Sequence, residues 1–276
     1  MSEHTQDPSI KQIICIKWGT MYGPEYVNRL YGMIARNITP PFRLICFTDS
    51  GDGLRPEIQV RPLPVFDYDA PVNTLGKWPK SRLWGDLGDV TGTVLFLDLD
   101  VVIVDNIDDF FSFGDPDDTV LATNPNTPFE KKVGQTSVYR MRVGKLAPLQ
   151  TEFAADTQAV ADKYRFEQRF VTRRAPGGVK FWPKTWVAHF RRHCVPPMPL
   201  RWFVPPRIPR GTKIVIFPGS LNPTDAIIGR WSDEDPHRTL GEHLRAGFNG
   251  DRREKLPRHL RHYILPSRWV ERLWRE

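Results

Sequence analysis

The chain has 276 residues, of which 40% are hydrophobic, and a formal net charge of +7. Three cysteines, Cys15, Cys46 and Cys194, match neither a zinc site nor a disulfide framework. No apolar run approaches the roughly 18 residues that a membrane span needs, and the polar first ten residues lack the features of a signal peptide. We therefore expect a cytoplasmic protein with reduced cysteines in its core.

Strand and helix patterns alternate in the first part of the chain. Ile13 to Ile16 predicts a strand, and Pro24, followed by apolar residues at helical spacing, predicts a helix. Phe42 to Phe47 and Ile58 to Val60 predict two further strands. Strand-helix-strand order favours a parallel sheet, with one α/β domain around it.

Gly76 to Leu87 predicts a helix, and the apolar run Val94 to Leu97 predicts a strand that is buried on both faces. That strand leads directly into Asp98. Further predicted elements are a short helix around Ile107 to Phe111, a strand at Thr136 to Val143, a helix at Lys145 to Tyr164, strands at Val187 to Phe190 and Ile214 to Phe217, and a last helix at Ser267 to Trp274.

Asp98 and Asp100 are separated by one residue at the end of this buried strand. Because side chains alternate along a strand, both acids are expected on the same side of the sheet, where two carboxylates would repel each other. A hydrated Mg²⁺ or Mn²⁺ ion relieves that repulsion, above all when a substrate brings phosphate oxygens to complete the coordination shell. The pattern therefore predicts a metal and phosphate site.

The stretch VLFLDLDVVIVDNIDDFF, residues 94 to 111, resembles the retaining glycosyltransferases of the glycogenin and galactosyltransferase-like family, which have the GT-A fold. The resemblance implies a GT-A domain with a mainly parallel central sheet flanked by helices. It also implies transfer of a hexosyl unit from a UDP-sugar to a hydroxyl, with retention of configuration. Asp100 would ligate the metal, Asp98 would serve both the metal and the donor, and Leu99 would lie against the donor. The metal would neutralise charge on the departing nucleoside diphosphate.

Two segments upstream of the acid pair also resemble the family, in regions where its members bind the donor. Lys80-x-x-x-Trp84 resembles a family motif whose lysine contacts the donor, so we expect Lys80 to be the donor cation, with Lys77 and Arg82 as alternatives. The loop after the first strand, KWGTMYGPEY, lies where the family binds the base and ribose, and its glycines fit neither a Walker loop nor a Rossmann fingerprint. Its expected donor-binding residues are Trp18, Gly19, Thr20, Tyr22 and Tyr26.

Glu167 and Gln168 resemble the Asp-Gln pair that lies beneath the donor sugar in retaining members. A carboxylate beside an amide would stabilise oxocarbenium-like charge on one face of the ring, so both are expected to be catalytic. Glutamate is one methylene longer than the family aspartate. Gln135 likewise replaces an asparagine expected in the preceding strand.

The last predicted strand departs from the family pattern. The family places a histidine after this strand as the third metal ligand, whereas this chain has Pro218, which cannot ligate. Three alternatives remain for that position: water or an acid, a histidine from the neighbouring strand (His189 or His193), or a metal-poor site in which Arg191 and Arg192 neutralise phosphate.

Two other classes of function fit the sequence less well. A haloacid-dehalogenase-type phosphatase also ends a strand with Asp-x-Asp, but Val101 and Val102 follow here instead of Gly-Thr. A nucleic-acid-binding module is not recognisable, so we expect no nucleic-acid partner. Pro218 leaves a third alternative, a homologue that binds the sugar nucleotide without transferring sugar.

From Trp231 the composition becomes polar and basic, so we expect a catalytic domain over residues 10 to 230 and a basic appendage over 231 to 276. Trp269 and Trp274 share one face of the last helix. That face could rest on the inner, anionic face of a membrane carrying a lipid-linked acceptor, or it could pack against the catalytic domain. The acceptor itself, a glycan or a lipid-linked sugar, is left open.

Overall fold

A computed structural model describes residues 9–65, 68–72, 78–127, 132–251 and 254–276. The chain divides into two compact units. The first unit comprises Met1–Leu99 and Asn106–Lys184, and the second comprises Asp100–Asp105 and Thr185–Glu276. Residue 230 falls inside the second unit, so a domain boundary at that point stays a prediction.

The strands are β1 (Lys11–Lys17), β2 (Phe42–Thr48), β3 (Gln59–Pro62), β4 (Thr93–Leu97), β5 (Val101–Ile103), β6 (Val120–Thr123), β7 (Gly134–Arg142), β8 (Lys180–Phe181), β9 (Val187–His189) and β10 (Ile214–Ile216). The α-helices are α1 (Pro24–Asn37), α2 (Asp109–Ser112), α3 (Ala147–Ala155), α4 (Thr157–Tyr164), α5 (Glu167–Arg174), α6 (Pro223–Ile228), α7 (Leu240–Asn249), α8 (Leu256–Arg261) and α9 (Arg268–Leu273). Short 3₁₀ helices cover Trp78–Leu83 and Leu200–Trp202, and a π-helical turn covers Phe190–Cys194.

The first unit is built on a seven-stranded sheet with the order β3-β2-β1-β4-β7-β6-β8. Its first four strands are all parallel, β7 runs antiparallel to β4 and β6, and β8 is parallel to β6. The continuous apolar runs in β1 and β4 are fully buried, as expected for strands covered on both faces. The predicted α/β class, with a mainly parallel central sheet flanked by helices, is confirmed.

An aromatic cluster fills the space between this sheet and its helices. The ring of Phe153 on α3 stacks on Trp78 with centroids 4.7 Å apart and meets Trp84 edge-on at 6.2 Å. Phe170 on α5 closes the cluster against both tryptophans. This packing fixes the 3₁₀ helix Trp78–Leu83 against the sheet, and Lys80 is carried by that helix.

The second unit contains a three-stranded sheet with the order β5-β10-β9. Val101 pairs with Ile216, which in turn pairs with His189. Within this unit Trp274, directly after α9, is only 4% exposed, and the Trp269 indole on α9 donates to the carbonyl of Pro206 at 3.0 Å. Of the two alternatives for the tryptophan face, these contacts agree with packing inside the protein. In the described part of the chain, no helix has the length and apolar content needed to cross a bilayer.

Two predicted helices differ from the structure. Residues 76 and 77 lie outside the described part; within the predicted Gly76–Leu87 helix, Trp78–Leu83 form a 3₁₀ helix and residues 84–87 are not helical. The Ser81 hydroxyl donates to the carbonyl of Trp78 at 2.7 Å, a local bond that competes with α-helical pairing. The predicted helix 145–164 is two helices, because Asp156 leaves the helical conformation and caps α4 through the backbone N–H of Ala159.

The segment that follows the acid pair is anchored by one carboxylate. Asp108 accepts hydrogen bonds from the backbone N–H of Thr39 at 3.0 Å and its hydroxyl at 2.6 Å, from the Asn106 amide at 3.1 Å, and an ion pair from Lys11 at 3.0 Å. Partial burial acts to raise the pKa of Asp108, but these partners outweigh it and hold the pKa well below its ordinary value. These contacts thus hold residues 106–108 against the loop before β2.

We expect Asp108→Asn to lower the free energy of unfolding by about 1 kcal/mol at neutral pH, because the neutral amide loses the charge-assisted bonds. The folded-state pKa is depressed, so this contribution is complete above the unfolded-state pKa of about 3.9 and disappears as pH falls below it. Urea unfolding at a series of pH values should show the two proteins converging in acid. A constant difference between them would contradict this account.

Candidate active site

Asp98 lies at the carboxyl end of β4, where the parallel strands of the first unit end. Its backbone N–H donates to the carbonyl of Ser137 at 2.9 Å, which continues the antiparallel pairing of β4 with β7 by one residue. β1 and β2 end at the same edge, so the loops after Lys17 and Thr48 share it with Asp98. Ligands of open α/β sheets bind at this edge.

Lys80 lies in direct contact with Asp98. Its ammonium nitrogen is 2.7 Å from each carboxylate oxygen, and only 14% of the Lys80 side chain and 20% of the Asp98 side chain are exposed. The same nitrogen donates to the carbonyl of Thr136 at 3.3 Å and lies 5.2 Å from the centre of the Phe96 ring. The 3₁₀ helix and the end of β4 therefore bring together two residues that the sequence predicts to contact the donor.

Thr136 connects this ion pair to Glu167. The Thr136 hydroxyl donates a short hydrogen bond to one carboxylate oxygen of Glu167, and the other oxygen accepts the backbone N–H of Gln168 at 2.8 Å. Glu167 is 5% exposed at the start of α5, whereas Gln168 is half-buried. Lys80, Asp98, Thr136 and Glu167 form one connected group, which we call the Lys80 cluster.

Burial raises the pKa of the Glu167 carboxyl, and the negative charge of Asp98 adds to this effect. Lys80 and the Thr136 hydroxyl act in the opposite direction and favour the carboxylate. Burial also raises the pKa of Tyr139, with further contributions from Glu167 and Asp98. The cluster is thus an electrostatically coupled group of low exposure, as is typical of functional sites.

Thr136 was not predicted as a site residue. Gln135 stands where the family has an asparagine. Its side-chain oxygen accepts a hydrogen bond from the backbone N–H of Ser137 at 2.7 Å, so this contact is local to β7. The position of Thr136 beside Gln135, in a strand of the predicted site, could have indicated it. Its hydrogen-bond partner Glu167 is 31 residues away, so a local sequence pattern does not reveal the contact.

The loop after β1 is arranged around a second acid that sequence reasoning missed. Gly19 has a positive φ of 61°, which glycine adopts without strain, and its N–H donates to the Asp49 carboxylate at 2.7 Å. This bond lowers the pKa of Asp49. Trp18 is 40% exposed and Thr20 is also exposed, while the rings of Tyr22 and Tyr26 lie 4.6 Å apart. Exposed aromatic and hydroxyl groups therefore occur at this edge of the sheet.

The two alternative donor cations are placed differently. The Arg82 guanidinium donates to the carbonyl of Pro64 at 2.7 Å, on the same 3₁₀ helix as Lys80. Lys77 lies outside the described residues. Of the described cations on this helix, Lys80 is the one ion-paired to Asp98.

The remaining predicted site residues, Asp100, His189 and Arg191, belong to the second unit. The chain passes from the first unit to the second between Leu99 and Asp100. His189 ends β9 and is 4% exposed, and burial, helped by the neighbouring cations, lowers its pKa to about 4. Its backbone N–H donates to Nδ1 of His193 at 2.9 Å. Arg191 donates to the carbonyl of Trp231 at 2.5 Å and stacks over its ring at 5.0 Å. Their predicted roles toward metal and donor stay predictions.

In the described part of the chain, no group of three or more His, Cys, Asp or Glu side chains is arranged to hold a metal ion. The acids at positions 98 and 100 supply hard oxygen donors, which suit Mg²⁺ or Mn²⁺ with phosphate and water completing the shell. By residue type these carboxylates are compatible with the predicted metal ion, and their role toward it stays a prediction.

Solved structures with the same fold include two of LgtC. One is an active-site mutant of LgtC, and the other is the galactosyltransferase LgtC in complex with donor and acceptor sugar analogues, with TM-scores of 0.54 and 0.52. Both are 12% identical to this chain, and the alignments cover 90% and 95% of it and 99% and 100% of LgtC. The glycosyltransferase GlyE of Streptococcus pneumoniae TIGR4 gives a TM-score of 0.52 at 9% identity, covering 96% of this chain and 65% of GlyE.

These structures are family 8 type glycosyltransferases, and the chain has their GT-A fold, as predicted. No family model matches the sequence, and no curated protein matches it significantly. At identities of 12% and below, the similarity establishes the fold. The chemistry of the site depends on the particular residues that this chain places there.

We expect Thr136→Val to raise the pKa of Glu167 further, because the substitution removes a hydrogen bond that favours the carboxylate and leaves the side-chain volume almost unchanged. The measurement is a carboxyl ¹³C NMR titration of protein labelled at glutamate. Thr136→Ser keeps the hydroxyl and serves as the control. An unchanged titration in the valine variant would show that the Lys80 cluster is not coupled through this bond.

Proposed function

We propose that this protein is a glycosyltransferase that transfers a hexosyl unit from a nucleotide sugar, by resemblance a UDP-sugar, to a hydroxyl group with retention of configuration. The single observation that carries the proposal is the Lys80–Asp98 ion pair at the carboxyl edge of a GT-A sheet. The fold supports sugar-nucleotide chemistry, and this pair supplies charge where the donor diphosphate would bind. One LgtC structure of this fold was solved with donor and acceptor sugar analogues.

The first step is binding of the nucleoside. The loop after β1 offers Trp18, Gly19, Thr20, Tyr22 and Tyr26 to a planar base and its ribose, and Asp49 holds the loop through the Gly19 amide. Aromatic faces suit a base, and hydroxyl groups suit its polar edge. Leu99, which is 3% exposed, would contribute backbone and not side-chain contacts to the donor.

The second step is neutralisation of the diphosphate. Asp98 and Asp100 would hold Mn²⁺ or Mg²⁺, since their Cα atoms are within about 7 Å of each other by chain geometry alone. A bound metal supplies Lewis acidity that neutralises charge developing on the leaving group. His189 remains a proposed third ligand, with a depressed pKa that keeps its ring neutral, and Arg191 remains a proposed phosphate contact.

Lys80 contributes a charge that is already compensated before the donor binds. With both Asp98 oxygens at 2.7 Å, its ammonium has an anionic partner in a poorly exposed position. A donor phosphate would replace one anionic partner by another, so the cation is never left buried and unpaired. We infer that donor binding loosens the Lys80–Asp98 pair and frees carboxylate oxygen for the metal.

The third step concerns the sugar. Glu167 and Gln168 are proposed to stabilise positive charge on the ring as the glycosidic bond breaks. Glu167 is held by Thr136 and by the Gln168 N–H, so its carboxylate is oriented and little of it is exposed. Gln168 is the more accessible of the two and is the residue proposed to approach the sugar.

A second candidate function is sugar-nucleotide binding without transfer. The observation that favours it is Pro218, which removes the metal-binding histidine expected after β10. Titration calorimetry with UDP and Mn²⁺, beside a screen of UDP-sugars read out as released UDP, separates the two functions. Affinity without turnover, also in the presence of glycan acceptors, would favour the binding protein.

We expect Asp98→Asn combined with Asp100→Asn to reduce Mn²⁺-dependent release of UDP from a UDP-sugar by at least about 100-fold, because the charge that holds metal and leaving group is removed. Asp117→Asn, which breaks only the surface pair with Arg142, is the matched control and should keep full turnover. Chelation should abolish turnover of the parent protein. Unchanged turnover in the double variant would reject the assignment.

A further inference from the structure

The second unit presents two large apolar side chains to solvent on one short turn. Leu200 is 48% exposed and Phe203 is 68% exposed. They lie three residues apart at the 3₁₀ helix Leu200–Trp202, and the backbone N–H of Phe203 donates to the carbonyl of Leu200 at 3.0 Å. Leu200 begins this helix and Phe203 directly follows it, so the two exposed side chains stand at the two ends of one turn.

The residues between them are fastened to α8 in the same unit. The Trp202 indole donates to the carbonyl of Leu260 at 3.1 Å. The Arg201 guanidinium donates to the carbonyls of Arg261 at 2.7 Å and Pro196 at 3.0 Å. The turn is therefore held by its two middle side chains, and the exposure of Leu200 and Phe203 is a property of a fixed turn.

Two sequence stretches, one containing this turn and the other containing α8, carry positive charge. Residues 195–211 and 255–270 contain neither aspartate nor glutamate, and the second of these stretches includes α8. The exposed cations in the two stretches are Lys255, Arg258, Arg261, Arg268, Arg207 and Arg210. Among these cations, Arg258 forms an ion pair with Glu254 at 3.1 Å, just outside the second stretch.

We propose that this surface, formed by Leu200, Phe203 and the exposed cations of residues 255–261, binds an anionic lipid bilayer. An apolar pair next to clustered cations is the composition of proteins that insert side chains at the headgroup boundary and gain from anionic lipid. A nucleic acid would use the cations but would leave a leucine and a phenylalanine without a partner. The surface does not include Trp269 or Trp274, and the proposal does not depend on glycosyl transfer.

The test is sedimentation of the full chain with vesicles of phosphatidylcholine, alone or mixed with phosphatidylglycerol. The parent protein should sediment only with the anionic vesicles. Leu200→Ser with Phe203→Ser should reduce partitioning by on the order of tenfold or more, because two apolar side chains lose their burial. Arg258→Gln with Arg261→Gln should reduce partitioning by about tenfold and make it less sensitive to salt.

Phe248→Ser is the matched control, since Phe248 is 70% exposed on α7 and lies outside both acid-free stretches. It should bind as the parent protein does. Far-UV circular dichroism and turnover of a soluble UDP-sugar should be the same in all variants, which separates a failure of this proposal from a failure of the proposed enzyme. No sedimentation of the parent protein, equal loss in the Phe248 variant, or an unaffected Leu200–Phe203 variant would overturn the proposal.

Discussion

The ion pair between Lys80 and Asp98 is the interaction on which the rest of the site depends. Both side chains have low exposure, and the two carboxylate oxygens share one ammonium at 2.7 Å. A charge held in this way is costly without its partner, so the pair fixes the 3₁₀ helix to the end of β4. The same pair links, through the carbonyl and hydroxyl of Thr136, to the buried Glu167.

This arrangement follows from the sheet. Three parallel strands end at one edge of the sheet, and each is directly followed by a residue that could contact a ligand. These residues are Trp18 after β1, Asp49 after β2 and Asp98 after β4. The apolar residues of these strands lie in the core, so the polar side chains available to a ligand occur at the strand ends. The aromatic cluster around Phe153 packs against the 3₁₀ helix that carries Lys80 and stabilises its position.

Local sequence patterns were sufficient to predict much of the fold. The buried runs of β1 and β4 and the amphipathic α1 are long and regular, and the acid pair with its Asn-Ile sequel indicated the GT-A fold. Three short strands, β5, β6 and β8, were not predicted, because two to four residues carry little periodicity. The 3₁₀ helix, the Thr136–Glu167 bond and the burial of Trp274 depend on contacts with distant residues, which no local pattern encodes.

In the proposed function, Lys80 leaves Asp98 for the donor diphosphate, and Asp98 then binds the metal ion. The most direct measurement is a crystal structure of the protein with UDP and Mn²⁺. The account predicts the Lys80 ammonium within hydrogen-bond distance of a phosphate oxygen, at about 3 Å, and a metal ion on Asp98 and Asp100. UDP bound elsewhere, with the Lys80–Asp98 pair intact and no metal on either acid, would contradict it.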